Sequence, residues 1–252
     1  MIYRIHSRTN QRVKDLIKNK DKFFFLEGEK LVRDILKRGI AITLLIVDEK
    51  REEHLVIPGK TSVKEIWYVS PAVLEKVSSL KEKPGFIAVL ELEPKAIDFQ
   101  RAAVVIGLDS IQDPANMGTA FRCAAAFGID SIALSGTSVN LNNNKFLRAA
   151  QHTFFDIHCQ RFVDAGALIQ RAEAAGFNIY LTSSHEFQNT IAPRQIQQPC
   201  LILFGNEGQG LDKTLFTRYP SIKIPQAGKV ESLNVGISAC IIMYEIGKLL
   251  GK

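Results

Sequence analysis

The spacing of apolar residues divides the chain into two halves with different patterns. In the first half, up to about residue 92, helical spacing predicts helices over 10–19 and 28–38. Runs rich in β-branched and aromatic residues predict strands over 42–47, 66–69 and 86–91. These elements predict a small α/β unit of under about 100 residues.

The second half, from about Arg101, alternates strands with helices. The run AAVVIGLD is apolar throughout, as is typical of a strand buried on both faces of a parallel sheet. The other predicted strands lie at 131–136, near 155–159, and at 178–184, 200–205 and 221–225. The predicted helices lie at 117–128, near 143–152, and at 165–175, 211–219 and 235–250. This alternation predicts an α/β fold with a mostly parallel sheet.

The stretch ELEPKAIDFQRAA is the best candidate for a linker between the two halves, because it contains Pro94 and is of mixed polarity. The predicted domains therefore cover residues 1–94 and 101–252.

The composition is an ordinary globular one, with 46% hydrophobic and 23% charged residues. The longest apolar run, over 235–250, is interrupted by Gly236, Glu245 and Lys248 and falls short of the roughly 18 residues that span a bilayer. The amino-terminal residues lack the apolar core of a signal peptide. We therefore expect a cytoplasmic protein without a membrane segment.

The cysteines and histidines do not form a metal-binding pattern. The four cysteines, at 123, 159, 200 and 240, include no CxxC pair, and the five histidines lack ligand spacing. We expect no metal site and interpret the cysteines as buried, reduced thiols.

Most of the net charge of +6 belongs to the first half. Up to Lys95 there are 19 basic and 14 acidic residues, a balance of +5, against 13 and 12, a balance of +1, in the remainder. The first 22 residues hold seven basic and two acidic side chains. A basic amino-terminal segment suits a polyanion, because neutralised phosphates release counterions. The alternative is a solvated helix face.

A first candidate site is the loop GNEGQG, over 205–210, directly after a predicted strand. Three glycines let the backbone turn tightly and approach a ligand. The loop is neither a Walker loop nor the GxGxxG fingerprint. It is therefore either a ligand loop or a structural turn.

A second candidate is the segment DPANMG, over 113–118, followed by Arg122. Asp113 or Asn116 can cap the helix that begins here. Arg122 lies among small apolar residues, so we expect its guanidinium to be desolvated unless an anion meets it, and the candidates for that anion are a phosphate and a structural carboxylate.

The third candidate is SLNV, over 232–235, at the start of the last helix. Ser232 is the expected N-cap. The small residues that follow, at positions 236 and 238–240, would let a subunit or a cofactor approach the helix closely. None of the three clusters pairs a nucleophile with a base, so the inventory fits a site that orients two substrates for transfer from a carrier cofactor.

Taken in order, DPANMGTAFRCAAAFG, LILFGNEGQGLD and IKIPQAGKVESLNV resemble the SpoU (TrmH-like) family of RNA ribose methyltransferases in the SPOUT superfamily. The first half, through its basic start and FFFLEGEKLVRDIL, looks like the ribosomal-protein-type RNA-binding domain that precedes the catalytic domain in many members. The resemblance implies a trefoil knot, S-adenosylmethionine as cofactor, and a homodimer. It also implies methylation of a ribose 2′-hydroxyl in structured RNA, above all ribosomal RNA.

The resemblance also implies roles for individual residues. Arg122, supplied by the partner subunit, would contact the phosphate of the target nucleotide, and Asn116 would position Arg122 or the ribose. Glu207 would hold the loop, while Ser232 and Asn234 complete the hydrogen bonding. The implied cofactor-binding residues are Thr182, Gly205, Ile224 and Leu233, and the implied RNA-binding residues are Arg8, Arg12, Lys14, Lys18 and Arg148.

The chain departs from the family pattern at three positions. Ala150 and His152 stand where many relatives have Ser and Gly, and Gln226 stands where many have Met. We interpret these departures as adjustments of the pocket or of packing. Three other hypotheses are open: a transfer RNA methyltransferase, a non-catalytic RNA-binding ribosome assembly factor, and a nucleotide-dependent oxidoreductase. The oxidoreductase is disfavoured because the glycine loop follows a late strand.

Overall fold

The structure is a computed structural model that describes every residue except Lys83, Glu186, Lys229 and Lys252. The chain divides into two compact units. The first contains Met1–Glu93 together with Leu141–Arg148, and the second contains Pro94–Asn140 together with Ala149–Lys252. Segment 141–148 therefore belongs to the first unit although its neighbours in sequence belong to the second.

The first unit is built on a five-stranded mixed sheet. Its elements are β1 (Ile2–Ile5), α1 (Gln11–Lys18), β2 (Phe24–Glu27), α2 (Glu29–Arg38), β3 (Ile42–Asp48), β4 (Val63–Val69), α3 (Pro71–Val77) and β5 (Phe86–Leu90). The strand order is β1-β4-β3-β5-β2, with β1, β4 and β3 parallel and β5 antiparallel to both of its neighbours.

Local capping explains where the helices of the first unit begin and end. The Oδ1 atom of Asn10 accepts a hydrogen bond from the backbone N–H of Arg12 at 2.9 Å, so α1 begins directly after it. Val13 and Leu16, one turn apart, are buried on its inner face. Helix α2 ends at Gly39, whose φ of +72° is a left-handed conformation that glycine adopts without strain.

Buried Glu27 connects three segments of the first unit. Only 5% of this residue is exposed. Its carboxylate accepts hydrogen bonds from the backbone N–H and hydroxyl of Ser79, from the hydroxyl of Ser78, and from the Asn144 side chain at 3.2 Å. The Arg148 guanidinium donates to the Ser79 hydroxyl at 3.1 Å. Segment 141–148 is thus held within the first unit by polar contacts around one carboxylate.

The second unit is built on a seven-stranded sheet whose pairings are all parallel. Its strands are β6 (Val104–Asp109), β7 (Ser131–Ser135), β8 (His158–Arg161), β9 (Asn178–Thr182), β10 (Thr190–Ile191), β11 (Cys200–Phe204) and β12 (Ser221–Ile222). Its helices are α4 (Pro114–Ala126), α6 (Ala165–Glu173) and α7 (Val235–Leu249), and α5 (Asn144–Ala150) runs from the first unit into it. The strand order is β10-β12-β9-β11-β6-β7-β8.

The predicted α/β architecture with a mostly parallel sheet is confirmed. Strands β6, β7 and β11 are buried along almost their whole length, which explains their continuous apolar sequences. The carboxyl ends of β6, β9, β11 and β12 lie at the same edge of the sheet, and β6 and β11 are neighbours there. In parallel α/β sheets this edge is where ligands bind.

The structure also differs from the predicted elements. Strands β1, β2 and β10 and helix α3 were not predicted. The strand predicted near 155–159 begins only at His158, because Gln151–Asp156 forms a 3₁₀ helix. The segment predicted as a helix over 211–219 contains only the 3₁₀ helix Lys213–Thr217.

Two of the four cysteines match the prediction of buried thiols. Cys159 and Cys200 are buried, and burial raises the pKa of each to about 12, so both are protonated at neutral pH. Cys123 and Cys240 are also free thiols, as predicted, but they are only partly buried. The prediction that all four cysteines are buried is therefore wrong for these two. Among the residues that the structure describes, none of the helices combines the length and the hydropathy that a bilayer span requires.

Candidate active site

A cavity of about 880 Å³ opens at the edge of the second unit where parallel strands end. Four stretches of chain form its wall: the segment after β9, the loop after β11, the segment after β12, and the first turns of α7. A cavity of this size lies within the range of small-molecule and cofactor sites.

All four residues implied to bind the cofactor line this cavity. Thr182 is the last residue of β9, and Gly205 directly follows β11, the parallel neighbour of β9. Ile224 and Leu233 come from the segment between β12 and α7. The neighbouring side chain of Asn206 shapes the loop: its Oδ1 accepts from the N–H of Gly208 at 2.8 Å, and its Nδ2 donates to a carbonyl in the loop after β6. The structure thus brings the predicted loop into a cavity wall.

Position 205 has no room for a side chain. A Cβ atom there would lie 2.4 Å from the carbonyl carbon of Gly210 and 2.5 Å from the nitrogen of Leu211. These neighbours are backbone atoms, which cannot move aside without opening the loop. Glycine at this position is therefore required by close backbone approach.

Three implied catalytic residues form a continuous hydrogen-bonded relay. Asn234 is the N-cap of α7, and its Oδ1 accepts from the N–H groups of Gly236 at 2.9 Å and Ile237 at 3.2 Å. Its Nδ2 donates to Asn116 Oδ1 at 2.8 Å, and Asn116 Nδ2 donates to Glu207 Oε1 at 3.0 Å.

The direction of this relay is determined by the helix. Backbone N–H groups can only donate, so the Asn234 oxygen must face α7 and its NH₂ group must face Asn116. The same logic turns the Asn116 NH₂ group toward Glu207. Glu207 must then be an acceptor, a requirement that its carboxylate form satisfies.

The surroundings of Glu207 favour that charged form. Burial raises the pKa of this carboxyl, but hydrogen bonds from the Asn116 side chain and from backbone N–H groups, including those of Gln112 and Asp113, outweigh burial. The pKa therefore lies below its ordinary value of 4.5. Glu207 is ionised at neutral pH and contributes a fixed negative charge to the cavity wall.

Two sequence-based expectations about caps are resolved by the structure. Asp113 caps α4, since its Oδ1 accepts from the N–H of Ala115 at 2.8 Å, so Asn116 is left for the relay. Ser232 was predicted to cap the last helix, which is wrong, because Asn234 does so. Ser232 is instead an exposed residue that lines the cavity.

Arg122 does not lie where its sequence neighbours suggested. The prediction of a desolvated guanidinium is wrong, because Arg122 is exposed. It follows Asn116 by six residues, about 240° around α4, and does not line the cavity. Within the described part of the chain, no hydrogen bond or ion pair holds its side chain. The structural carboxylate considered as its partner is therefore absent from the described residues of its own chain.

The small residues at the start of α7 allow close packing on α4. A Cβ at Gly236 would lie 3.3 Å from Cβ of Thr119 and 3.4 Å from Cα of Asn116. Ala239, one turn later, is fully buried, whereas Ser238 lines the cavity. Small side chains thus bring the first turn of α7 close enough to α4 for the relay to form.

Two of the three departures from the family pattern lie at a tight packing contact or at the cavity. The end of α5 packs tightly on α4, where a Cβ at Gly118 would lie 2.9 Å from the nitrogen of Ala150, and Ala150 is fully buried. Gln226 lines the cavity. Nothing in the structure explains His152.

Sequence reasoning missed several residues of the cavity wall. Ser183, Ser184, His185 and Phe187 follow β9, and Phe216 belongs to the 3₁₀ helix after the glycine loop. The signal that could have found the first four is positional, because they lie at or directly after the carboxyl end of the strand predicted over 178–184 in a parallel sheet.

The residues implied to bind RNA lie in the first unit and differ in their surroundings. Arg8 donates to the carbonyl of Ala72 and pairs with Glu75, and the Arg12 guanidinium lies 3.9 Å from the centre of the Tyr3 ring. Lys14 and Lys18 are exposed and one turn apart on α1. Arg148, as described above, donates to Ser79.

Comparison with known proteins gives matches along most of the chain. Residues 103–244 match the model of the SpoU rRNA Methylase family, and residues 10–88 match that of an MRM3-like substrate binding domain. The 23S rRNA (guanosine(2553)-2′-O)-methyltransferase of Bacillus subtilis is 31% identical, and the match covers 96% of this chain and 98% of that protein. The 23S rRNA (uridine(2479)-2′-O)-methyltransferase of Streptomyces viridochromogenes is 26% identical, with 88% and 81% covered.

Solved structures give the same picture. The AdoMet-bound rRNA methyltransferase of Sinorhizobium meliloti superimposes with a TM-score of 0.83 at 27% identity, covering 99% of this chain and 98% of the other. The AdoMet complex of the SpoU methyltransferase AviRb from Streptomyces viridochromogenes, at 22% identity, shares the fold with a TM-score of 0.79, covering 96% and 99% of the two chains.

Proposed function

Because this chain belongs to the SpoU rRNA methylase family, we propose that it transfers a methyl group from S-adenosylmethionine to a ribose 2′-hydroxyl of ribosomal RNA. The observation that carries this proposal is the relay of Asn234, Asn116 and Glu207 beside the cavity. A relative with this activity in its name matches almost the whole chain.

The residues of the cavity fit S-adenosylmethionine. When bound, this cofactor supplies an electrophilic methyl group on a positively charged sulfur. Apolar Ile224, Leu233 and Ile242 provide surface for its adenosine, and the loop backbone at Gly205 can approach it closely. Glu207 and Glu231 line the same cavity and complement its positive charge.

For the chemistry, we assign the residues of the chain to alignment and charge stabilisation. Ser232 and Asn234 orient the ribose hydroxyl, and Glu207 fixes the orientation of Asn116 and Asn234 through the relay. Arg122 binds the phosphate of the target nucleotide. A guanidinium donates hydrogen bonds and has no acceptor, so electrostatic stabilisation fits Arg122 better than proton abstraction.

We further propose a homodimer in which Arg122 of each subunit serves the cavity of the other. Support comes from the exposed position of Arg122 outside the cavity of its own chain. Support also comes from α7, where Ile237, Ile241 and Tyr244 are 52%, 36% and 51% exposed and lie on one face of the helix. An exposed apolar helix face of this kind is typical of an interface.

Residues 1–94 are proposed to bind the RNA and residues 101–252 to carry out catalysis, with the trefoil knot in the latter. Exposed Lys14 and Lys18 on α1 suit phosphate contacts, because no described residue holds their ammonium groups. Because its proposed substrate is ribosomal RNA, we place the protein in the cytoplasm.

Total RNA from cells that lack the gene, incubated with the protein and methyl-labelled S-adenosylmethionine, tests the proposed function. We expect label in one ribosomal RNA species, at a single linkage that resists alkaline cleavage. Label in transfer RNA would contradict the proposed substrate. Tight cofactor binding without label in any RNA would favour a non-catalytic assembly factor instead.

We expect Gly205→Ala to weaken S-adenosylmethionine binding by roughly 5- to 150-fold, because overpacking costs roughly 1–3 kcal/mol. Calorimetric titration measures the change. Gly208→Ala is a matched control in the same loop, since a Cβ there meets nothing closer than the Asn206 Oδ1 atom at 3.5 Å. Equal affinities of the two variants would show that the close backbone approach at 205 does not shape the cofactor site.

A further inference from the structure

Two aromatic rings stack face to face at the wall of the cavity. The rings of Phe187 and Phe216 are 4.0 Å apart between centroids and inclined by only 8°. Phe216 belongs to the 3₁₀ helix Lys213–Thr217 and packs against the apolar core of the second unit. Phe187 belongs to the segment that joins β9 to β10, in which Ser183, Ser184, His185 and Phe187 line the cavity. The stack therefore joins a cavity wall to the core.

The ends of segment 183–189 are held by the sheet. The N–H of Ser183 donates to the carbonyl of Ile222 at 3.1 Å, and the carbonyl of Asn189 accepts from Ser221 at 3.2 Å. Between these ends, the described residues make only local hydrogen bonds, such as that from the N–H of Phe187 to Thr190 Oγ1 at 2.8 Å. The ring stack is thus a long-range contact that holds the middle of the segment.

We propose that Phe187 and Phe216 are positioning residues for S-adenosylmethionine, which hold Ser183, Ser184 and His185 in place as a preformed wall of the cofactor cavity. This inference rests on the proposed function in taking that cofactor as the ligand of the cavity. A wall that is already ordered adds no ordering cost to binding, whereas a wall that must be ordered lowers the affinity. The stack acts through the segment and not by touching the reacting atoms.

Calorimetric titration of S-adenosylmethionine into Phe187→Ala and Phe216→Ala variants is the first test. An aromatic pair contributes enough beyond simple burial for an expected rise in Kd of roughly threefold to tenfold. Phe187→Tyr keeps the ring and is expected to bind S-adenosylmethionine with the native Kd. Phe187→Leu keeps the apolar volume of the side chain but lacks the ring, so it is expected to bind S-adenosylmethionine weakly. This variant keeps the test valid if Phe187→Ala unfolds the protein.

Phe162→Ala is the matched control. Phe162 is a partly buried aromatic of the same unit, packs edge to face on Phe99 at 6.2 Å, and does not line the cavity. Its Kd is expected to stay at the native value. In steady-state assays of the Phe187 and Phe216 variants, the KM for cofactor should rise while the KM for RNA does not, a split that general loss of structure would not produce.

Hydrogen exchange of the ligand-free protein gives a second readout that depends on neither cofactor nor RNA. Backbone amides of 183–189 are expected to exchange faster in Phe216→Ala than in the native protein, with β11 unchanged. Unaltered exchange, or a Kd equal to the native value in both alanine variants, would overturn the inference. Native protein that binds the cofactor but methylates no RNA would overturn only the proposed function, and failure to bind it would overturn both.

Discussion

Replacement of Arg122 by alanine is expected to lower kcat for methyl transfer by roughly 100- to 1000-fold, the usual effect of removing one preorganised group that stabilises transition-state charge. The free energy of unfolding and the Kd for S-adenosylmethionine should remain at native values, because Arg122 is exposed and lies outside the cavity of its own chain. Single-turnover assays with the RNA substrate measure the rate, and calorimetry measures cofactor affinity.

Arg101→Ala controls for the loss of one exposed positive charge in the same unit, and is expected to retain native activity. Arg122→Lys distinguishes charge from geometry, since a lysine keeps the charge but cannot form a two-pronged contact with phosphate. If the Arg122→Ala variant kept the native kcat, Arg122 would have no role in the active site.

The proposed origin of Arg122 in the partner subunit can be tested by mixing two inactive proteins. Arg122→Ala retains a cavity but lacks the arginine, whereas Gly205→Phe, whose side chain is far larger than the methyl group of alanine, blocks the cofactor site but retains the arginine. In a two-fold symmetric dimer, random exchange of subunits should restore about one quarter of native activity, because half of the dimers then contain one complete site. No recovery after demonstrated subunit exchange would place Arg122 and its cavity in the same chain.

Glu207→Gln is expected to lower kcat by about 100-fold, a typical consequence of misplacing reacting groups by a small distance. Both carboxylate oxygens of Glu207 accept: Oε1 from Asn116 at 3.0 Å and Oε2 from the N–H of Gln112 at 3.4 Å. Glutamine must direct its NH₂ group at one of these donors, so the relay to Asn234 loses its fixed direction. Glu231→Gln, which removes the same charge from the cavity wall, should change kcat far less.

The same variant makes a prediction about acid stability. The lowered pKa of Glu207 means that its carboxylate stabilises the folded state above pH 4.5 and that this contribution is lost as the pH falls through the lowered pKa. We expect Glu207→Gln to lower the free energy of unfolding by about 1 kcal/mol at neutral pH. Urea titrations should show this difference shrinking below pH 4.5, and a difference independent of pH would contradict the role of the carboxylate.

Most of the fold follows from local sequence signals, because those signals are also what stabilises each element. Helix α1 was predicted over 10–19, and its caps are Asn10 and Asn19. Strands of continuous apolar residues were predicted as buried parallel strands because no other environment suits them. The elements that were missed are short, like β10 with two residues, and depend on pairing with distant strands that spacing along the chain does not reveal.

The candidate site was only partly accessible for the same reason. Asn116, Glu207 and Asn234 were identified, but their contacts join residues 91 and 118 positions apart in sequence. Arg122 was expected to be desolvated because its sequence neighbours are small and apolar, yet a helix places residues two apart on different faces. The Phe187–Phe216 stack had no sequence signature, since two isolated phenylalanines usually belong to a core.

The assignment of segment 141–148 to the first unit limits how this protein can be recombined. Phe146 and Leu147 belong to that unit and are fully buried, although the flanking chain belongs to the other unit. A gene fragment that encodes only residues 94–252 would separate both side chains from the rest of their unit, and a transplanted amino-terminal half would lose the donor that Asn144 provides to Glu27. Chimaeras of this enzyme therefore have to exchange residues 1–93 and segment 141–148 together. The same restriction applies to natural recombination between related genes.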